Sequence, residues 1–313
     1  MLTSSEIKNK AIELGFSACG ITEAKALPLE IEKQYKNWLQ NGFHADMHYL
    51  EQNIEKRMNP SLLFEGTKSI IVVLLNYHNP TYHKNKKSNY SFSEYTLGKD
   101  YHIVLKNKLF ELSNFIQNYS PNTKNRVFAG SAPALGKYLA YQAGLGSIGK
   151  NTLLLTKRGS YHFIGEIFTD FPLLYDSPAA EDYCLQCNKC VNACPTKALS
   201  NLYCLDASKC ISYHNIESKK EIPKEILLKM GKQVYGCDIC QQVCPCNKTA
   251  EPTSIPEFSI KKEFLEWTDT DWETITETAF NQSFSDTALH RIGYEKLKRN
   301  ILAHRYFGYA QHK

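Results

Sequence analysis

The stretch Cys184-Leu-Gln-Cys187-Asn-Lys-Cys190-Val-Asn-Ala-Cys194-Pro195 places four cysteines in one short run that ends in proline. A second run, Cys237-Asp-Ile-Cys240-Gln-Gln-Val-Cys244-Pro245, repeats the last three cysteines and the proline. Ten of the eleven cysteines of the chain lie between positions 184 and 246, and Cys19 is the other one. Cysteines crowded at such short spacings are typical of metal binding, whereas disulfides staple small secreted domains.

The first run has the spacing of bacterial two-cluster ferredoxins, in which three thiolates hold one [4Fe-4S] cluster and the fourth reaches the other. The second run has Val234 where its first cysteine should stand, and Cys210 is the obvious replacement. Pseudo-symmetry then predicts two complete sets of ligands. One set is Cys184, Cys187, Cys190 and Cys244, and the other is Cys194, Cys210, Cys237 and Cys240.

A pair of structural zinc sites is the alternative, because tetrahedral zinc sites also use C-x2-C pairs. Zinc ribbons do not need a triple C-x2-C-x2-C run closed by Cys-Pro, so the pattern favours iron. Either interpretation leaves Cys19, Cys204 and Cys246 over, and we expect them to be small buried apolar residues.

Size and composition are those of a globular protein. With 313 residues and 42% hydrophobic residues, the chain can form one large core and smaller modules. Lys and Arg number 37 against 32 Asp and Glu, and each cluster adds about two negative charges, so the net charge does not indicate nucleic-acid binding. The longest apolar stretch, Ile70 to Leu75, is far shorter than a membrane span of roughly 20 residues. The N-terminus has no signal-peptide pattern, and we expect a cytoplasmic protein.

Outside the cysteine runs, helices alternate with apolar strands. A capping box at Thr3 and Glu6 starts a helix that Gly15 ends. Helices are also predicted over 29–40 and 101–118, and from Pro133 to the glycines at 144–149; strands are predicted over 16–21, 69–76, 152–156 and 163–168. This order predicts an α/β (α+β) layered domain over 1–177, an inserted ferredoxin-like double-cluster module over 178–250, and a helical segment over 251–313 that packs on the first domain.

Nine segments spread along the chain form a further pattern: Gly15-Phe-Ser-Ala-Cys-Gly-Ile21, Met47-His-Tyr-Leu50, Glu55-Lys-Arg57-Met-Asn-Pro60, Leu75-Asn-Tyr77, Tyr95-Thr-Leu-Gly-Lys-Asp-Tyr-His102, Ala143-Gly-Leu-Gly-Ser-Ile-Gly-Lys-Asn-Thr152, Gly165-Glu-Ile-Phe-Thr-Asp170, Leu205-Asp-Ala-Ser-Lys-Cys-Ile-Ser212 and Tyr235-Gly-Cys-Asp-Ile-Cys-Gln-Gln-Val-Cys-Pro245. In this order and spacing, these segments resemble the epoxyqueuosine reductase family, whose members use cobalamin to complete queuosine at the wobble position of tRNA.

The resemblance implies an α/β cobalamin-binding domain joined to the double-cluster module, in a short form without the helical-repeat domain that longer members add. It implies an oxidoreductase that reduces epoxyqueuosine to queuosine in the anticodon loop of tRNA. The clusters would pass electrons from a donor such as ferredoxin or flavodoxin to cobalt, and the cofactor would carry the difficult chemistry. We expect the protein to act as a monomer, away from membranes.

The resemblance also implies that Arg57, Tyr95, Gly130, Ser212 and Asp238 lie beside the corrin. The family places its proposed proton donor, an aspartate, in a segment that corresponds here to Val127-Phe-Ala-Gly-Ser-Ala-Pro133, and Gly130 occupies its position. Glycine has no proton to give, although a positioned acid typically contributes about 10² to 10⁴ in rate. Gly136 and Ser147 also depart from the family, which commonly has an acidic residue and an aromatic residue there.

Three explanations of Gly130 remain open. Asp100, Tyr101 or Asp170 supplies the proton, the chain reduces another substrate, or it is a weakened paralogue. An electron-transfer protein of the ferredoxin type, with no substrate pocket, is the alternative from a different class. Two interpretations of five basic residues are equally well supported. They contact tRNA phosphates, or they form an ordinary solvated helix face; the residues are Lys219, Lys220, Lys296, Lys298 and Arg299.

Overall fold

The computed structural model describes residues 2–130, 132–200 and 203–308. Its centre is a four-stranded sheet of β1 (Ala18–Glu23), β2 (Ser69–Asn76), β3 (Asn125–Phe128) and β4 (His162–Thr169), in the spatial order β1-β2-β4-β3. All neighbouring strands are antiparallel, and Val72 of β2 lies opposite both Gly20 of β1 and Glu166 of β4. The ends of β2 and β3 and the start of β4 therefore meet at one edge of the sheet, which is called the site edge below.

The helices of seven residues or more are α1 (Ser4–Glu13), α2 (Leu29–Gln40), α3 (Tyr101–Tyr119), α4 (Gly136–Gln142), α5 (Glu277–Phe284) and α6 (Tyr294–Gly308). Helices α1 and α3 cover one face of the sheet, and α4 covers the other. Because β2 is the inner strand of this three-layer stack, its side chains are buried on both faces. Ile71, Val73 and Leu75 pack toward α3, and the alternate residues pack toward α4.

The structure confirms most of the predicted elements. The capping box of Thr3 and Glu6 is present, and α2 and β2 have the predicted bounds. The predicted start of a helix at Pro133 is wrong, since α4 begins at Gly136, and the strand predicted near 152–156 is only Leu154–Leu155, paired with Ser147–Ile148. Strand β3 was not predicted, because Asn125 and Arg126 interrupt its apolar pattern.

The cysteine-rich segment consists of short elements joined by turns. Its helical segments are Lys189–Ala193, Ala207–Lys209, Tyr213–Glu217, Lys224–Leu227, Ile239–Gln242 and Pro245–Asn247, and its strands are Leu199–Ser200, Cys204–Leu205 and Gln233–Tyr235. Lys189–Ala193 packs on Ile239–Gln242, which brings the two cysteine runs together.

The C-terminal segment forms a second hydrophobic core at some distance from the central sheet. Besides α5 and α6 it contains Pro256–Phe258, Lys262–Glu266, Asp269–Thr274 and Ala288–Ile292. Its side chains pack around Trp272 against residues 82–97 and against Val234 and Tyr235 of the cysteine-rich segment. Gln233–Tyr235 also pairs with Ser91–Phe92, whose neighbouring short helical segments are Tyr82–Asn85 and Glu94–Thr96. This core therefore ties the cysteine-rich segment to the rest of the chain.

The loop between β1 and β2 adds α2 and three short helical segments, His48–Leu50, Ile54–Met58 and Pro60–Leu63.

Within the described ranges, no helix combines the length and apolar character that crossing a bilayer requires.

Candidate functional site

The two cysteine runs fold together, and eight cysteines separate into two groups. Cys184, Cys187, Cys190 and Cys244 line one small cavity. Cys194, Cys210, Cys237 and Cys240 line one wall of a much larger cavity. Burial raises the pKa of the Cys237 thiol to about 12, and the charges of Cys210 and Cys194 add to the effect. Each group contains a thiol from the other run, as the pseudo-symmetry predicts.

Lys150 organises the first cysteine turn and was missed by the sequence analysis. Its side chain is buried, and its Nζ donates to Leu185 O and Cys187 O at 3.0 Å each and to Asn188 Oδ1 at 2.8 Å. Its backbone N–H donates to Cys184 Sγ at 3.3 Å. A buried ammonium that satisfies three oxygens of one turn holds that turn around the small cavity. The signal for it was its place after the glycine-rich stretch, inside Gly149-Lys-Asn151.

Replacing Lys150 with methionine should therefore destabilise the small cavity. The change leaves three oxygens of this partly buried turn without their donor, at a cost of at most about 1–3 kcal/mol, the range for buried unsatisfied groups. We expect a lower free energy of unfolding and faster release of iron to a chelator. Lys157→Met is the matched control, since Lys157 is exposed and pairs only with Glu181, and such surface pairs contribute about 0–1 kcal/mol. Equal iron release by the two variants would contradict this role for Lys150.

The second cysteine group is positioned by close backbone contact. Gly236 precedes Cys237 with φ of 69°, and a Cβ there would lie 2.1 Å from Ser93 Oγ, so only glycine fits. Next to it, Asp238 accepts a hydrogen bond from Glu94 N at 2.8 Å. Burial raises the pKa of Asp238 to about 6, although hydrogen bonds from Ser93 and Glu94 oppose the shift. Residues 93–94 and 236–238 thus form one interlocked wall of the larger cavity.

The larger cavity, called the central cavity below, lies between the sheet and the cysteine-rich segment, is open to solvent and has a volume of about 430 Å³. Its walls combine apolar side chains such as Met47, Leu153 and Ile211 with a few polar groups. Asn151 borders both this cavity and the small one, and its Nδ2 is buried without a partner among the described residues. A large, mostly apolar space with an unsatisfied donor in its wall suits a bulky organic cofactor.

Three of the five residues expected beside the corrin line the central cavity: Tyr95, Ser212 and Asp238. Arg57 is not among the lining residues. It is buried nearby, where its guanidinium donates to Tyr49 O at 3.0 Å and Gln52 O at 3.2 Å and so braces the loop that carries Met47. Gly130 is also outside the lining, at the site edge directly after β3.

The surroundings of Gly130 determine what the expected acids can do. Asp100 caps α3 and accepts hydrogen bonds from His102 N at 3.0 Å and His102 Nδ1 at 2.8 Å. Partial burial would raise the pKa of Asp100, but these hydrogen bonds outweigh it and the pKa is lowered. Burial raises the pKa of Tyr101 to about 12, and its ring stacks on Phe163. Asp170 follows β4 at the opposite edge of the sheet, where it accepts from Lys124 N.

Glu166 is a further buried carboxyl group on the face of the sheet that α4 covers. A Cβ on Gly136 would lie 2.4 Å from Glu166 Oε1, so the glycine at the start of α4 leaves room for this carboxyl group. Burial raises the pKa of Glu166 to about 8 from an ordinary 4.5. An acidic side chain at position 136 would place two carboxyl groups together here.

The raised pKa of Glu166 makes a prediction about stability and pH. The folded protein holds this proton more tightly than the unfolded chain, so the free energy of unfolding should fall as pH rises from about 4.5 to about 8, by at most about 1.4 kcal/mol per pH unit from this group. Glu166→Gln removes the ionisation and should gain stability over the parent as pH rises. Denaturant unfolding of both proteins at pH 5.5 and pH 8 measures the difference, and parallel pH profiles would contradict the assignment.

The cysteines outside the two groups have different surroundings. Cys246 lines the small cavity beside Cys244, and Cys19 lies on β1, on the face of the sheet that α1 and α3 cover. Most of the basic residues considered for tRNA have protein partners instead: Lys296 donates to Ile216 O, Lys298 donates to Glu273 O, and Arg299 donates to His214 O, Ser218 O and Lys220 O. Lys220 pairs with Asp46. These contacts hold the 214–220 turn on α6, which is a structural role.

Comparison with known proteins identifies both parts of the site. Residues 183–247 match the family model for a 4Fe-4S double cluster binding domain, and residues 57–131 match the model described as epoxyqueuosine reductase QueG, DUF1730. The first match supports iron clusters over the zinc alternative.

Curated relatives and solved structures agree over nearly the whole chain. An epoxyqueuosine reductase of Cellulophaga algicola is 43% identical over 95% of this chain and 96% of its own length. That of Escherichia coli is 36% identical over 95% of this chain and 79% of its own length. A crystal structure of epoxyqueuosine reductase with an epoxyqueuosine-modified tRNA-Tyr stem loop has a TM-score of 0.86 at 30% identity, covering 96% of this chain and 80% of that one. The Streptococcus thermophilus structure has a TM-score of 0.87 at 27% identity, covering 97% and 81%.

Proposed function

Because the chain belongs to the epoxyqueuosine reductase family, we propose that it reduces epoxyqueuosine to queuosine at the wobble position of tRNA. The observation that carries this proposal is the central cavity, which has four cysteines of one cluster site in one wall and the sheet's site edge opposite. A substrate there would receive electrons from a neighbouring redox centre. The reaction converts an epoxide to an alkene, consumes two electrons and two protons, and releases the oxygen as water.

We propose cobalamin as the occupant of the central cavity, because the cavity is mostly apolar, borders the second cysteine group and has the unpartnered Asn151 Nδ2 in its wall. Tyr95, Ser212 and Asp238 would hold it, and Arg57 would support the loop of Met47 at its side. When bound and reduced, cobalamin supplies a strong low-potential nucleophile for the strained ring. The protein would orient the substrate in the cavity and supply protons.

In this proposal, Cys184, Cys187, Cys190 and Cys244 hold the first cluster, and Cys194, Cys210, Cys237 and Cys240 hold the second, next to the central cavity. Electrons enter singly from a low-potential donor such as ferredoxin or flavodoxin and reach the cavity through the second cluster. We propose that the protein works as a monomer in the cytoplasm, where its tRNA substrate is found.

The direct test is anaerobic incubation of the reconstituted protein, loaded with iron, sulfide and cobalamin, with an epoxyqueuosine-modified tRNA stem loop and a low-potential reductant. Nucleoside mass spectrometry should show queuosine, and omission of cobalamin should abolish it. Production of no queuosine above the protein-free control would overturn the proposed function, and the visible spectrum of bound cobalamin would then separate a reductase for another substrate from a plain electron carrier.

A further inference from the structure

The proposed reaction needs an acid at the leaving oxygen, and the expected candidates are poor sources of a proton. Asp100 is held ionised by His102. The phenol of Tyr101 has a pKa raised to about 12, far above neutral pH. Asp170 is at the wrong edge of the sheet. Gly130 has no side chain, and the nearest groups to a Cβ built on it are Tyr101 Oη and His102 Nε2, both at 3.9 Å.

His102 is also engaged on both sides of its ring. Asp100 accepts from Nδ1, and the guanidinium of Arg291 lies 2.7 Å from Nε2. The guanidinium contacts both ring nitrogens, and His102 is not among the residues that line the central cavity. Glu217, the remaining charged group that acts on Tyr101 beside this cluster, is exposed. The Asp100–His102–Arg291 cluster is therefore arranged to hold α3 and the 288–292 turn together.

Lys137 is the basic side chain that lines the central cavity, and neither the sequence analysis nor the proposed cofactor contacts use it. It lies in the first turn of α4, and its Nζ donates one hydrogen bond, to Thr152 O at 2.5 Å. The ammonium group has three donors, so two remain for the cavity. Its side chain is accessible from the cavity although protein surrounds it.

Within the part of the chain that the structure describes, Lys137 makes no ion pair with a carboxylate. Burial alone lowers the pKa of its amine, with no opposing contribution from a carboxylate. Lys137 is exposed to the cavity, and an amine with free donors and a lowered pKa in a cavity wall is a candidate functional group. A lowered pKa also makes the ammonium group a better acid near neutral pH.

The other titratable groups of the cavity are less suitable. Burial raises the pKa of Tyr77 and Tyr95 well above their ordinary value. Asp238 is adjacent to Cys237, and its carboxylate already accepts from Glu94 N. Glu217 is exposed at the rim.

We propose that Lys137 donates the proton to the epoxide oxygen as its carbon–oxygen bond breaks, in the role that the family gives to the carboxyl group missing at position 130. The inference rests on the proposed function. Two electrons from the redox centres reduce the two epoxide carbons to the alkene, Lys137 gives the oxygen one proton, and solvent gives the second, so that water leaves. Solvent entering the open cavity then returns a proton to the Lys137 amine. Before and during transfer, the ammonium group also stabilises the negative charge that develops on the oxygen.

The test is single-turnover reduction of epoxyqueuosine stem loop by the fully loaded protein and its variants. Lys137→Met should lower the rate by about 10² to 10⁴, while iron content, the cobalamin spectrum and stem-loop affinity stay at parent values. Gly130→Asp in the Lys137→Met background should restore the rate at least about tenfold, because the carboxyl group then supplies the proton. Gly130→Asn is the matched control: it tolerates the same φ of 73° but has no acidic proton.

The outcomes separate the two proposals. If the parent protein reduces the substrate and the rate of Lys137→Met is within threefold of the parent rate, the role of Lys137 is overturned. The proposed function then still stands. If Lys137→Met loses cobalamin together with its rate, or if Gly130→Asn restores the rate as well as Gly130→Asp does, Lys137 has a structural role. Either result also overturns its role as proton donor. Retained activity in Lys137→Met with loss in His102→Gln would assign the proton to His102 instead. Absence of turnover by the parent overturns both proposals.

Discussion

Cys210→Ser should leave the protein with one [4Fe-4S] cluster and abolish queuosine formation. Cys210 lines the central cavity with Cys194, Cys237 and Cys240, and it is the proposed ligand in place of the cysteine missing at Val234. Serine is a poor ligand for iron in such clusters, which are held by cysteine thiolates. Iron content should fall from eight atoms, four in each of two clusters, toward four. Because the second cluster borders the cavity, electrons would no longer reach the substrate.

Cys204→Ser is the matched control for this change. Cys204 lies six residues earlier in the same segment and lines neither the small nor the central cavity. Its variant should keep parent iron content and activity. Iron analysis and electron paramagnetic resonance of the dithionite-reduced proteins measure the outcome. Two intact clusters in Cys210→Ser, or loss of a cluster in Cys204→Ser, would refute the ligand assignment.

Trp272→Ala should lower the free energy of unfolding by about 3–5 kcal/mol, the usual range for removing a large aromatic side chain from a core. Trp272 is completely buried and stacks on Phe284, with Phe92 and Phe264 against its other sides. The same core holds Val234 and Tyr235, and Tyr235 lies two residues before the proposed ligand Cys237. We therefore expect the variant to lose its second cluster at a lower denaturant concentration than the parent.

Trp272→Phe is the control, because it keeps an aromatic ring in the same place. Trp272 Nε1 has no hydrogen-bond partner among the described residues, so phenylalanine removes volume and no polar contact. We expect Trp272→Phe to lower the free energy of unfolding clearly less than Trp272→Ala does. Urea unfolding of the loaded proteins, followed by far-ultraviolet circular dichroism and by cluster absorbance, gives both quantities. Equal destabilisation by the two substitutions, or unchanged cluster loss in Trp272→Ala, would contradict the role of this core.

The sequence predicts those features that depend on local pattern. The continuous apolar run of β2 indicates burial on both faces, and the Thr3–Glu6 capping box marks the start of α1. Strand β3 escaped prediction because it is a short edge strand, with Arg126 directed toward Leu63 O rather than into a core. The helix expected from Pro133 starts three residues later, since Leu135 is the residue whose carbonyl accepts the first bonds of α4.

For the site, cysteine spacing was enough to sort eight thiols into two groups, since the repeat of the two runs fixes which residue crosses over. Long-range contacts were not predictable in this way. Lys150 and Lys137 are ordinary lysines in sequence, and only folding brings one to the Cys184–Cys187 turn and the other to the central cavity. Likewise, Asp100 caps its own helix by accepting a hydrogen bond from His102 N. This contact explains why Asp100 cannot serve as the acid that its sequence position suggested.

The exchange of one thiol between the two runs has a consequence for maturation. Cys244 completes the set around Cys184, Cys187 and Cys190, while Cys194 completes the set around Cys210, Cys237 and Cys240. A nascent chain that has emerged only as far as residue 236 cannot supply all four proposed cysteine ligands to either cluster. With these proposed ligand sets, both clusters can be completed only after the downstream run has left the ribosome.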